Sequence, residues 1–176
     1  DTTTYYEVPA IADTTVSSSA SAANNGGMPF LMLDENSWIY LRFPFDMLPQ
    51  EAVILSAVME LYVSPESNAG GQTVTVSMPE LKNAWEEMSL TWDNRIVPLA
   101  GAPTLTQQLL PYNGQGTKEA FNLTEMFLAY RQYFPAADSF EVILSLQNPQ
   151  SGTLHWLWSR EGAESPNFMI GIQNDF

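Results

Sequence analysis

Along VILSAVMELYV, residues 53–63, Leu55, Ala57, Met59, Leu61 and Val63 alternate with Ser56, Glu60 and Tyr62. A period of two sends successive side chains to opposite faces, which predicts a half-buried strand with the aliphatic set inward. QTVTVSMP, 72–79, repeats the pattern, with Val74, Val76 and Met78 on one side and Thr73, Thr75 and Ser77 on the other. The turn-rich SPESNAGG between these runs reads as a hairpin connection. SWIYLRF (37–43), SFEVILSL (139–146), TLHWLWS (153–159) and NFMIGI (167–172) are further strand segments, with NPQSG and EGAESP as turns between the last three.

One stretch has a different period. In FNLTEMFLAYRQYF, 121–134, Leu123, Met126, Phe127 and Tyr130 fall at i, i+3, i+4 and i+7. Asn122 has the chemistry of an N-cap, Glu125 stands three residues on as in a capping box, and Pro135 ends the run. This predicts a short amphipathic helix over about 122–134. Many short strands with turns at roughly ten-residue spacing, and one helix, predict an all-β jelly-roll β-sandwich. It is read as a single domain over 1–176, with the small, polar SSSASAANNGG (17–27) as a surface loop.

Charge narrows the partners. Six Lys+Arg stand against 20 Asp+Glu, a net charge of −14. Nucleic acid is excluded as a partner, because neutralising phosphates needs clustered cations. No apolar run approaches the ~18 residues of a membrane span. The absence of cysteine excludes disulfides, iron–sulfur clusters and thiol catalysis. A start at Asp1 rather than Met fits removal of a signal peptide, and with it a secreted or cell-surface location. Acids also supply oxygen ligands for a hard cation. Asp13, Asp34 and Glu35, in the N-terminal loops, are the candidates for a structural calcium; the alternative is that they are solvated loop acids.

Catalytic chemistry is thin. His155 is the only histidine and lies within a strand, where a lone histidine is more often packed than catalytic. No G-x-S-x-G, HExxH, P-loop or G-x-G-x-x-G string occurs. Glu86 and Glu87 are adjacent and, in a strand, would point to opposite faces rather than flank one bond. The chain reads as a non-enzyme, with no redox cofactor.

Four blocks carry a family likeness. SWIYLRFPFDMLPQEAVILSAVMELYV (37–63), AWEEMSLTWDNR (84–95), FNLTEMFLAY (121–130) and WSREGAESPNFMI (158–170) occur in one order across most of the chain. Together they resemble the DNRLRE-type, disaggregatase-related domains that are grouped with carbohydrate-binding module family 96. The resemblance implies a secreted, non-catalytic jelly-roll module. It also implies, for some relatives, binding of acidic polysaccharides through basic residues. Here the six cations, Arg42, Lys82, Arg95, Lys118, Arg131 and Arg160, are scattered, and Arg42 and Arg160 fall in the framework blocks. A neutral polysaccharide fits this chain better than a polyanion. The likeness also places Trp85 and Trp92 in the framework.

Sugar rings stack on flat aromatic faces while amides and carboxylates take the hydroxyls. Trp156 and Trp158, two apart on one strand, project to the same face roughly 7 Å apart. They suit adjacent sugar units if that face is open; otherwise both fill the core beside Leu154, the commoner fate of large aromatics. Trp38, at the edge of its strand, is a third candidate. Two functions remain. The first is a non-catalytic polysaccharide-binding module. The second is a self-assembling subunit of an extracellular filament, pilus or surface matrix, its tyrosine-rich N-terminal segment joining another copy.

Overall fold

The alternating runs do form strands. A computed structural model describes residues 2–68 and 70–174. In chain order its strands are β1 (Thr3–Pro9), β2 (Ala12–Ser17), β3 (Phe30–Leu33), β4 (Ser37–Pro44), β5 (Ile54–Tyr62) and β6 (Thr73–Ser77). They continue with β7 (Leu105–Gln108), β8 (Lys118–Asn122), β9 (Ser139–Gln147), β10 (His155–Trp158) and β11 (Asn167–Gln173), and helix α1 (Thr124–Tyr133) lies between β8 and β9. A four-stranded sheet, β1-β11-β5-β8, and a five-stranded sheet, β2-β4-β9-β6-β7, are both antiparallel. Their apolar faces meet as a β-sandwich. Ala57, Met59, Leu61, Phe168 and Ile170 come from one sheet, and Ile39, Leu41, Phe43, Val74, Val76 and Leu144 from the other. Helix α1 adds Met126, Phe127 and Tyr130 to this core, and Phe127 touches the rings of Phe45, Phe140 and Phe168.

A two-stranded ribbon, β3 with β10, closes one side. It is tied to both sheets: the Met32 N–H donates to Thr15 Oγ1 on β2, and Leu157 bridges Val63 just past β5.

Three local expectations are corrected. The SPESNAGG segment is not a hairpin turn, because β5 and β6 lie in different sheets and the segment crosses between them. Leu55 points outward, 46% exposed, because β5 carries an extra residue where Ile54 pairs with Ile172 and Ser56 with Gly171. This bulge flips the alternation at one end of the strand. The helix starts two residues later than expected. Asn122 is the last residue of β8, and its Oδ1 accepts from the Thr124 N–H and hydroxyl, while Leu123 occupies the cap position.

The five-stranded sheet is covered on its outer face as well. The excursion between β6 and β7 lays Trp85 and Leu90 over Ala12, Val16, Tyr40 and Ile143, with Trp38, Trp92 and Ile96 at the margin. Arg42 anchors it. Its guanidinium pairs with the buried Glu141 at 2.5 Å, donates to the Trp85 carbonyl at 2.8 Å and sits 4.2 Å from the Trp85 ring centre. Glu141 in turn accepts from the Asn83 N–H. Trp85, Trp92 and Arg42 are framework residues, as the blocks implied.

Candidate functional site

Strand β10 decides where the paired tryptophans go. His155 and Leu157 are fully buried, so the period of two turns Trp156 and Trp158 to the other side, where both rings are half-buried. Neither fills the core beside Leu154. Antiparallel pairing sets Trp156 opposite Met32 and Trp158 opposite Phe30. The Phe30 ring stacks on Trp158 at 4.8 Å and meets Trp156 edge-on at 5.3 Å, which fixes the two indoles as one aromatic surface. Gly162 passes so close that a Cβ there would stand 2.4 Å from the Pro29 carbonyl oxygen and 2.7 Å from Trp158 Cε3.

Trp158 forms a wall of a cleft of about 360 Å³ shared with Val63, Pro65, Tyr112, Gln115, Gly116, Ala163 and Glu164. Tyr112, Gln115 and Gly116 also line an adjoining hollow of about 530 Å³ that adds Asn113 and Thr117. On the other side Glu164 is shared with a third hollow, of about 420 Å³, that holds Tyr62 and Glu7. The three form a groove with aromatic faces at Tyr62, Trp158 and Tyr112, amides at Gln115 and Asn113, and carboxylates at Glu7 and Glu164. None of its lining residues is a lysine or arginine. The nearby Lys118 is paired with Glu60 at 2.6 Å.

The wall opposite β10 is the 110–117 loop. Gly114 and Gly116 take positive φ, 96° and 86°, and Thr117 Oγ1 accepts from the Asn113 N–H while donating to the Gly114 carbonyl. Tyr112 and Gln115 are thus presented by a turn. Periodicity says nothing about such a segment; the only signal in the sequence is the string PYNGQG, an aromatic and amides among turn residues.

Trp38 belongs to the outer face of the five-stranded sheet. Its ring lies 5.1 Å from that of Trp92, and the Arg95 guanidinium stands 5.0 Å from Trp38 and 3.8 Å from Trp92. That arrangement closes the margin of the outer core. Trp38 lines none of the three hollows of the groove.

The three acids expected in loops are not brought together: Asp13 lies within β2, opposite Leu41, and only Asp34 and Glu35 are in a loop. Asp13 is buried, its Oδ2 accepting from the Arg160 N–H, and burial pushes its carboxyl up to about 7. Its own N–H donates to Glu87, which holds Arg160 through two hydrogen bonds of 2.6 and 2.8 Å. Asp34 accepts from the Asn36 N–H in a local turn, and Glu35 is exposed. Among the described residues no group of three or more His, Asp or Glu is placed to hold a metal ion. Arg160 stands 3.4 Å from Glu161, but its closer partner is Glu87, on the outer excursion.

A β-sandwich with a polar, aromatic groove has a counterpart among known families: the family model described as carbohydrate-binding module family 96 matches residues 4–111. The chain belongs to carbohydrate-binding module family 96. The matched span of this family 96 module runs from β1 to the start of the groove loop. It includes Tyr62, Phe30 and the outer excursion, whereas Tyr112, Trp156 and Trp158 lie beyond it. A search of curated proteins gives no match.

Proposed function

We propose that this family 96 module is a non-catalytic, extracellular domain that binds a neutral polysaccharide in the groove between β10 and the 110–117 loop. One observation carries the reading: Trp158 and Tyr112 line a single cleft with Gln115 and Glu164, and no cation lines it. Indole and phenol rings offer the stacking faces that pyranose rings use, and the amides and carboxylate offer partners for hydroxyls. A uronate chain would meet Glu164 and Glu7 without a compensating charge. Trp156, on the same face through Phe30, extends the aromatic surface. The self-assembly alternative draws on an N-terminal segment free to join another copy. β1 pairs with β11 of its own sheet over seven register positions, which leaves its outer edge for such a contact.

Native affinity electrophoresis through gels containing soluble β-glucan, xylan or galactomannan, with alginate as the polyanion, tests it. At least one neutral polysaccharide retards the module and alginate does not. Trp158→Ala and Tyr112→Ala each abolish most of the retardation, a loss of about tenfold or more in affinity, as expected for truncating a central aromatic contact. Retardation by alginate alone, or undiminished retardation of both variants, overturns the assignment.

A further inference from the structure

Beneath the groove lie two ionisable side chains that glycan contact does not use. His155 directly precedes Trp156 on β10 and is fully buried; Glu119 on β8 is fully buried opposite it, with Nε2 and Oε1 4.0 Å apart. Among the described residues, His155 Nδ1 and Nε2 and Glu119 Oε2 have no hydrogen-bond partner. Buried polar atoms are nearly always paired, so three orphans on one adjacent pair of side chains call for a reason.

The two residues belong to opposite walls. His155 sits on the strand that carries Trp156 and Trp158. Glu119 Oε1 accepts from the Leu110 N–H, at the root of the loop that carries Tyr112 and Gln115. We propose that Glu119 and His155 are a positioning pair that sets the spacing of the groove walls through one shared proton, so that glycan binding weakens as this proton is lost in mildly alkaline solution. The inference rests on the groove being the glycan site.

With one proton, the carboxyl donates to imidazole Nε2. A movement of about 1 Å brings the atoms from 4.0 Å to hydrogen-bond distance and gives Nε2 a partner. When the proton passes to solvent, the neutral ring keeps one N–H, which its unpartnered Nδ1 leaves free to sit on Nε2 and face the carboxylate, but a full negative charge is left buried with no cation beside it. Water drawn to that charge parts the loop wall, which Glu119 holds through the Leu110 N–H, from β10. Burial supports this protonation state: it pushes the Glu119 carboxyl up to about 7 and the His155 imidazole down to about 4. No other titratable group faces the pair from the neighbouring strands. β3 (FLML) and β7 (LTQQ) carry none; Leu33 and Leu61 are the register partners of His155 and Glu119. Glu60 and Tyr62 of β5 and Lys118 of β8 alternate to the opposite face of their sheet.

Because His155 is the chain's one histidine, its ring signals are unambiguous in NMR. In the glycan-free protein between pH 5 and 9, the His155 ring and the Leu110 amide shift together with a midpoint near 7, and Glu119→Gln removes the inflection. A His155 midpoint near 6.5 that Leu110 does not share, or no inflection in that range, overturns the shared proton even if the variant fails to fold. In the gels with neutral polysaccharide, wild-type affinity drops about fivefold from pH 5.5 to 8.5 while Glu119→Gln stays flat. A pH-independent wild type overturns the positioning role. If no neutral polysaccharide retards the module at any pH, the groove reading falls and takes the positioning role with it, while the NMR titration still judges the proton.

Discussion

At the scale of single residues, the groove depends on positions that allow no substitute. Gly162 lets the loop after β10 pass against the Trp158 ring. Gly162→Ala forces a methyl into the Pro29 carbonyl and Trp158 Cε3, and should lower stability by about 1–3 kcal/mol, as overpacking does. A chemical-denaturation curve checks this, and an unchanged midpoint counts against the contact. The same variant should also weaken polysaccharide retention, since the displaced atom belongs to a groove wall. Trp156 and Trp158 were legible as candidates from their spacing, but their fate was not. Strand alternation says that they share a face; only the burial of His155 and Leu157 says which face that is. Tyr112, Gln115 and Glu164 were illegible, because they reach the groove from loops that carry no period.

At the scale of elements, strands were the legible part and their partners were not. Period-two runs locate β4, β5, β6, β9 and β11 within a residue or two, and the i, i+3, i+4, i+7 set identifies the buried face of α1. Pairing is a long-range matter. SPESNAGG has hairpin composition, yet β5 finds β11 and β8 while β6 finds β9 and β7. The bulge at Leu55 is invisible in its own segment because it is defined by Gly171 and Ile172 on another strand. The excursion between β6 and β7 is the second structural element without regular period, and Trp85 holds it down. Trp85→Ala removes a buried ring from the outer core and the platform beneath Arg42. It should cost about 3–5 kcal/mol of unfolding free energy. A loss below 1 kcal/mol in a denaturant titration would show that the excursion folds back without it. The WEEMSLTWDNR stretch is therefore scaffold, with Trp85 buried against the sheet and Trp92 packed at its margin.

For the whole molecule, buried acids set the pH dependence of stability. Asp13 and Glu119 have carboxyls raised to about 7 by burial, so the folded chain holds their protons more tightly than the unfolded chain. Their contribution is full below the unfolded values and is lost as pH rises through about 7. Glu141, also raised by burial, acts in the same direction. His155, lowered to about 4 by burial, acts in the opposite direction, its contribution being lost as pH falls through about 4. Between pH 5 and 7 the acids outnumber it, and the net charge of −14 adds repulsion toward higher pH. The melting temperature should therefore be higher at pH 5 than at pH 8. Asp13→Asn should flatten the profile, and a melting temperature that rises from pH 5 to pH 8 contradicts it. The charge that argues against nucleic acid in the sequence is thus also a lever on stability. Its distribution matters for ligand choice, since the cations are spent on internal pairs such as Arg42–Glu141, Arg160–Glu87 and Lys118–Glu60 rather than in the groove.

The central claim is that a neutral glycan lies on Trp158 and Tyr112. The most direct measurement follows the five indole N–H signals by ¹H–¹⁵N NMR while the module is titrated with oligosaccharides cut from the neutral polysaccharide that retards it. The account predicts that the Trp158 signal moves with saturation while those of Trp85 and Trp92 stay in place. Movement of Trp38 and Trp92 with Trp158 unchanged would contradict it and shift the site to the outer face of the five-stranded sheet.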